Sequence, residues 1–178
     1  AAMLRAARRP VIIAGGRAVR AADLPALARV LDAPLVMTTN GRGILPPGDP
    51  LAVTLSAPMP ETRALVAGAD VVLAIGTELG PTDYDMWEDG GLAIPGALTR
   101  VDIDPRQALR GHPPALLVPG CAGLAASALL AALAGHAPAG GGAVRAAAAQ
   151  AALAALDPLM QADLALLARV RDAVPGAL

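Results

Sequence analysis

Phenylalanine and lysine are absent from these 178 residues, and tryptophan, tyrosine and cysteine occur once each. Without phenylalanine the core must be aliphatic. The two aromatics fall close together, at Tyr84 and Trp87, in a loop that either faces a ligand or another domain or folds back over a sheet edge. A lone cysteine cannot close an internal disulfide, and the Ala-rich surroundings of Cys121 predict a small core residue rather than a nucleophile. The 14 basic residues are all arginine, spread along the chain and balanced by 15 acidic ones. No electropositive stripe exists to displace phosphate counterions, so nucleic acid is not an expected partner.

Long apolar runs are missing too. Residues 121–135 are the longest, shorter than the roughly 20 needed to span a bilayer, and predict a buried helix. No membrane is expected, and with no charged start followed by an apolar run and a cleavage site, the cytoplasm is the expected compartment. Metal-ligand clusters are not apparent: His112 precedes two prolines and His136 sits among glycines and alanines. With neither His nor Cys beside the acidic loop of Asp83, Asp85, Glu88 and Asp89, no catalytic residue is assigned.

What the chain does have is aliphatic content. Hydrophobic residues make up 55% and charged residues 16%, against about 25% charged in an average soluble domain. Short β-branched or aliphatic runs recur at 11–14, 35–38, 71–75, 98–103 and 116–118. They are apolar throughout rather than alternating, as parallel strands buried on both faces require. Helical patterns fall between them. Leu24, Leu27 and Leu31 share a face after Asp23, a candidate N-cap, and Pro60 and Gly68 bracket a second helix. This alternation predicts a doubly wound α/β domain with a parallel, Rossmann-like sheet of the NAD/FAD-binding type. The domain is expected over 1–134, with a Gly/Pro/Ala linker at 135–142 and a helical appendage at 143–178 that either packs back on the sheet or belongs to a neighbour.

Open parallel sheets bind ligands beyond the carboxyl ends of their strands. Those ends carry Gly15 and Gly16, then Asn40 and Gly41, then Gly76 and Thr77, then Asp102. Glycines permit close backbone approach to a phosphate or ring, although a purely structural tight turn is an equal reading for Gly15 and Gly16. Asp102 can accept hydrogen bonds from ribose hydroxyls, whereas Asp104 before Pro105 reads as an N-cap. The G-x-G-x-x-G fingerprint is not present.

The segments RPVIIAGG (9–16), APLVMTTNGRG (33–43), ADVVLAIGTELG (69–80) and VDIDP (101–105), in that order and spacing, resemble the middle domain of thiamine-diphosphate enzymes such as acetolactate synthase. The resemblance implies a parent that acts on 2-oxo acids by decarboxylation or carboligation. In such a parent, pyrimidine-binding and diphosphate-binding domains hold thiamine diphosphate and magnesium, and the full-length enzyme is a homo-oligomer. Neither the activating glutamate nor the G-D-G…N segment occurs here, and residues 164–178 look like the lead-in to the third domain, so this chain is expected to be a non-catalytic fragment. The loop GTELGPTDYDMW (76–87) resembles the 5-guanidino-2-oxopentanoate decarboxylase subgroup. Some relatives hold FAD or ADP in this domain. Flavin-bearing members have arginine near Glu78 and Gly-Asp at Gly120 and Cys121, so FAD binding is expected to be weak or absent. The alternative is an unrelated nucleotide-binding module, such as an electron-transfer flavoprotein domain.

Overall fold

The computed structural model describes residues 1–80, 83 and 91–174. Tyr84, Trp87, Asp85, Glu88 and Asp89 lie outside the described residues. Six parallel strands form one sheet: β1 (Pro10–Ala14), β2 (Leu35–Met37), β3 (Ala52–Val53), β4 (Val71–Ile75), β5 (Ala97–Asp102) and β6 (Leu116–Pro119). Their order is β3-β2-β1-β4-β5-β6, so the winding direction reverses between β1 and β4. Ile12 pairs with Leu35 on one side and Leu73 on the other, and Ile75 pairs with Val101.

The unbroken apolar runs are explained by two cores rather than one. On β1, Ile12 and Ala14 join the cluster under the helices α2 (Leu24–Leu31) and α4 (Ala122–Ala132). Val11 and Ile13 point the other way, toward α3 (Pro60–Ala67) and α5 (Gly142–Gln150). All five β1 residues and all five of β4 are buried. A side chain of this class contributes about 1.5–3 kcal/mol when fully buried, so the two central strands anchor the fold. A short α1 (Ala2–Ala6) leads into β1.

The Gly-rich stretch before α5 does not separate two bodies. Asp32 ends α2 in the left-handed region, at φ 45°, and its carboxylate accepts the Gly142 amide at 2.8 Å. A Cβ on Gly142 would lie 2.6 Å from the Asp32 carbonyl carbon, so only glycine permits this approach. Arg145 then donates to Pro10 O at 3.1 Å, and Gln150 Oε1 accepts the Thr54 and Leu55 amides at 3.1 and 2.9 Å. Ala146 and Ala149 fill the second core. The packed unit therefore runs past Ala134, and of the two expected helices the first packs back on the sheet. The second, α6 (Pro158–Ala173), buries no residue.

Three local expectations are corrected. Asp23 makes no cap bond to α2; its carboxylate instead accepts the Ser127 hydroxyl from α4. Helix α4 is buried only along Ala122 and Ala126, with Leu124 76% exposed, because an outer-layer helix needs one apolar stripe and alanine does not mark which. Cys121 is exposed at the N-cap of that helix and is not a core residue. Among the described residues no single helix is long and apolar enough to cross a membrane.

At the amino-terminal edge of the sheet, Asp70 accepts the backbone amides of Arg8 at 2.7 Å and Arg9 at 2.8 Å. Partial burial works to raise its pKa, but the backbone donors outweigh burial and hold the carboxyl below its ordinary value. A depressed folded value means that the stabilisation is complete above the unfolded carboxyl pKa of about 3.9 and is lost as pH falls through the folded value. Asp70→Asn should cost roughly 1 kcal/mol at neutral pH, since solvent screens this exposed site. Urea titrations should show that gap closing below about pH 3; a gap of constant size would contradict the assignment.

Candidate functional site

Beyond the carboxyl ends of β1, β2 and β4 lies a cleft of about 430 Å³. Five of the seven candidate residues line it: Gly15, Gly16, Asn40, Gly76 and Thr77. Gly41 and Asp102 do not. Arg17, Thr38, Glu78, Gly80 and Asp83 complete the wall.

The fold itself requires these glycines. A Cβ on Gly15 would lie 2.7 Å from Thr77 Cα, and one on Gly16 would meet Asn40 Cβ at 3.0 Å. Gly76 sits at φ +60°, where a Cβ would meet Ala18 N at 2.7 Å. A Cβ on Gly41 would stand 3.1 Å from the Ala14 carbonyl carbon. The loops after β1, β2 and β4 thus close on one another, backbone against backbone. Several of their amides take part in the same closure: Gly15 N donates to Ile75 O at 3.1 Å, Arg17 N to Gly76 O at 3.2 Å and Gly76 N to Val101 O at 3.0 Å.

Charge in the cleft is mainly negative. Arg17 is bridged by Glu78 and by Asp102, each at 3.3 Å. Asp102 has 1% of its side chain exposed and reaches the cleft only through Arg17. Its Oδ1 also accepts the Asp104 amide at 2.9 Å, while Oδ2 has no hydrogen-bond partner among the described residues. Asp102 is therefore a buried anchor for Arg17 and the β5 turn, not a group facing solvent as a ribose acceptor would. Burial, and then the nearby Glu78 charge, push the Asp83 carboxyl above the usual range. Asp104 takes the turn-capping role, accepting the Arg106 amide at 2.8 Å.

Arg100 is the residue that sequence reasoning missed. It is 1% exposed, and its guanidinium donates to Glu78 O at 2.8 Å and Arg110 O at 3.0 Å. It pins the loop that carries Thr77 and Glu78 and supports Leu79 at φ 49°. Burial and this cation lower the pKa of His112. The available signal was a charged residue in the middle of the strand ALTRVD.

A nucleotide diphosphate fits this wall poorly, because Arg17 is already neutralised by two carboxylates and the Gly15, Arg17 and Gly76 amides are engaged in loop closure. Among the described residues no group of three or more His, Cys, Asp or Glu side chains is placed to hold a metal ion.

A parallel sheet of order 3-2-1-4-5-6 with glycine-closed turns at its reversal point defines a doubly wound α/β domain of the Rossmann-like type. Residues 1–133 match the family of the thiamine pyrophosphate enzyme central domain, and the chain belongs to that family. It is similar to "Probable 2-ketoarginine decarboxylase AruI" of Pseudomonas aeruginosa, 44% identical over 128 residues, which are 71% of this chain and 22% of that protein. The crystal structure of a protein assigned as a thiamin diphosphate-dependent enzyme from Mycobacterium smegmatis shares the fold. Its TM-score is 0.54 at 22% identity, over 72% of this chain and 25% of the other. The family membership displaces the reading as an unrelated flavoprotein module. The chain spans about a fifth of the length of the curated relative it matches.

Proposed function

We propose that this chain is the non-catalytic central domain of a parent that decarboxylates a 2-oxo acid with thiamine diphosphate and magnesium, a guanidino-substituted acid being the favoured substrate. Supporting the substrate class is the 44% identity to a protein named for 2-ketoarginine decarboxylation. In this reading the pyrimidine-binding and diphosphate-binding domains are its partners, within a homo-oligomeric cytoplasmic enzyme. The domain acts as a rigid spacer between them and holds neither FAD nor ADP. The observation that carries the spacer role is the mutual closure of the three carboxyl-edge loops, with Glu78 and Asp102 both on Arg17.

Calorimetric titration tests the cofactor-free reading. A missing charge-assisted hydrogen bond removes roughly 1.5–3 kcal/mol, or one to two orders of magnitude in affinity. FAD and ADP should each bind more weakly than about 100 µM, since two carboxylates add repulsion to that loss. Micromolar binding of either would overturn the spacer reading. The substrate half is tested on the parent polypeptide, supplied with thiamine diphosphate and magnesium: 2-ketoarginine should be turned over at least about tenfold better than pyruvate, a difference of about 1.4 kcal/mol at the transition state. Equal rates would remove the guanidino preference.

A further inference from the structure

The cleft beyond β1, β2 and β4 holds more hydrogen-bond acceptors than its own residues satisfy. Arg17 is taken by Glu78 and Asp102, each at 3.3 Å. That leaves the Asp83 carboxylate with neither a cation nor a side-chain donor among the described residues. Thr38, directly after β2, lines the same cleft at 4% exposure, and its hydroxyl also has no partner among the described residues. A side chain this buried normally has its hydroxyl hydrogen-bonded, so Thr38 marks a place for a polar group of a ligand.

The loop that presents the two acids is held from behind. Arg100 donates to Glu78 O at 2.8 Å, the Leu79 amide donates to Thr77 Oγ1 at 3.2 Å, and the Asp83 amide donates to Gly80 O at 3.0 Å. Glu78 stands close enough to Asp83 for its charge to act on that carboxyl. Two like charges on one cleft, with Asp102 behind Arg17, favour a cation over an anion. A metal ion is the poorer match: among the described residues no group of three or more His, Cys, Asp or Glu is placed to hold one. A cleft of about 430 Å³ is also far larger than a bare ion, and lies in the range of roughly 300–1,000 Å³ usual for small molecules. Guanidinium has five donors in a planar fork and sheds water more readily than an ammonium, so it can meet two carboxylates and a hydroxyl at once. We propose that the cleft binds a small alkylguanidinium compound, its planar head shared by Glu78, Asp83 and Thr38. Such a ligand ties the loop after β2 to the loop after β4 and braces the domain. The inference uses acceptors of this cleft alone; turnover of a guanidino acid by the parent is a separate measurement, and either can fail without the other.

Proton–nitrogen correlation spectra of the intact chain, titrated with butylguanidinium at constant ionic strength, test this through the amides of Thr38, Thr77 and Glu78. Saturable shifts are expected, with a dissociation constant on the order of 0.1–1 mM, because solvent reaches these charges and screens them. Butylammonium, with the same stem but no fork, should bind at least about threefold more weakly. Asp83→Asn should weaken butylguanidinium at least about fivefold and Thr38→Val about threefold. Thr38→Val keeps the shape of the side chain and breaks no hydrogen bond, so unchanged circular dichroism should accompany the loss. Asp163→Asn, exposed on α6 and outside the cleft, should leave binding within about 1.5-fold of the original. No saturable shift up to about 10 mM butylguanidinium would overturn the proposal. Equal affinity for butylammonium, or binding indifferent to both Asp83→Asn and Thr38→Val, would overturn it as well.

Discussion

Gly15→Ala should destabilise the protein by more than about 3 kcal/mol, a large part of the 5–15 kcal/mol that holds a typical domain together. The added Cβ would lie 2.7 Å from Thr77 Cα and against Gly76 O, and neither is the end of a flexible side chain that can swing away. Relief requires the β1 and β4 loops to part. Parting them breaks the bonds from Gly15 N to Ile75 O and from Arg17 N to Gly76 O, at the point where the sheet reverses its winding. Two controls set the scale. Gly120→Ala meets nothing within 4 Å and should change stability by less than about 0.5 kcal/mol. Gly43, also in open space but at φ +91°, should cost roughly 1 kcal/mol for backbone conformation alone. Urea unfolding followed by circular dichroism gives all three numbers. If Gly15→Ala stays within about 1 kcal/mol of the unmodified protein, the glycine serves ligand approach instead of loop closure.

That experiment bears on how far the sequence could be read. The strands β1 and β4 were legible because each is buried on both faces, which forces an apolar residue at every position and leaves a contiguous signal. The glycine-bearing strand ends were legible for the same local reason, and five of the seven residues chosen from them do line one cleft. What the glycines are for was not legible. Gly15 looks the same in sequence whether its empty Cβ position faces a phosphate or the Gly76 carbonyl, and the difference is set by a loop about sixty residues away. Strand β3 was missed because two residues, Ala52–Val53, carry no periodicity. The docking of α5 stayed one of two alternatives because it depends on pairs such as Asp32 with Gly142 and Thr54 with Gln150, which no local pattern announces. Arg100 was passed over because a strand interior is expected to be apolar; its charge is tolerated through carbonyls of two loops that only the folded chain brings together. The burial of Asp102 and its bridge to Arg17 were not legible either, since a strand-end carboxylate can face a ligand or tie down its neighbours.

The largest effect is expected in catalysis. Mixed with thiamine diphosphate, magnesium and either pyruvate or 2-ketoarginine, this chain should release no more carbon dioxide than the same mixture without protein. Bound thiamine diphosphate supplies the carbanion chemistry, but an enzyme's rate depends on holding the cofactor's reactive atom against the substrate and on moving protons there. Positioning alone is worth about 7–11 kcal/mol of a barrier, so its loss removes at least about five orders of magnitude in rate. Among the described residues the carboxyl-edge cleft has the Gly15, Arg17 and Gly76 amides committed to loop closure and Arg17 committed to Glu78 and Asp102, so a diphosphate finds repulsion there. Asp83 has its carboxyl held above the usual range, and this follows from burial and the nearby Glu78 charge. The parent polypeptide under identical conditions should turn over its 2-oxo acid at an enzymatic rate, which makes the contrast measurable in one carbon dioxide release assay. Activity that co-purifies with the chain through several columns and disappears on Asp83→Asn would mean that the cleft is an active site, and that both the spacer role and the reading of its acidic wall are wrong.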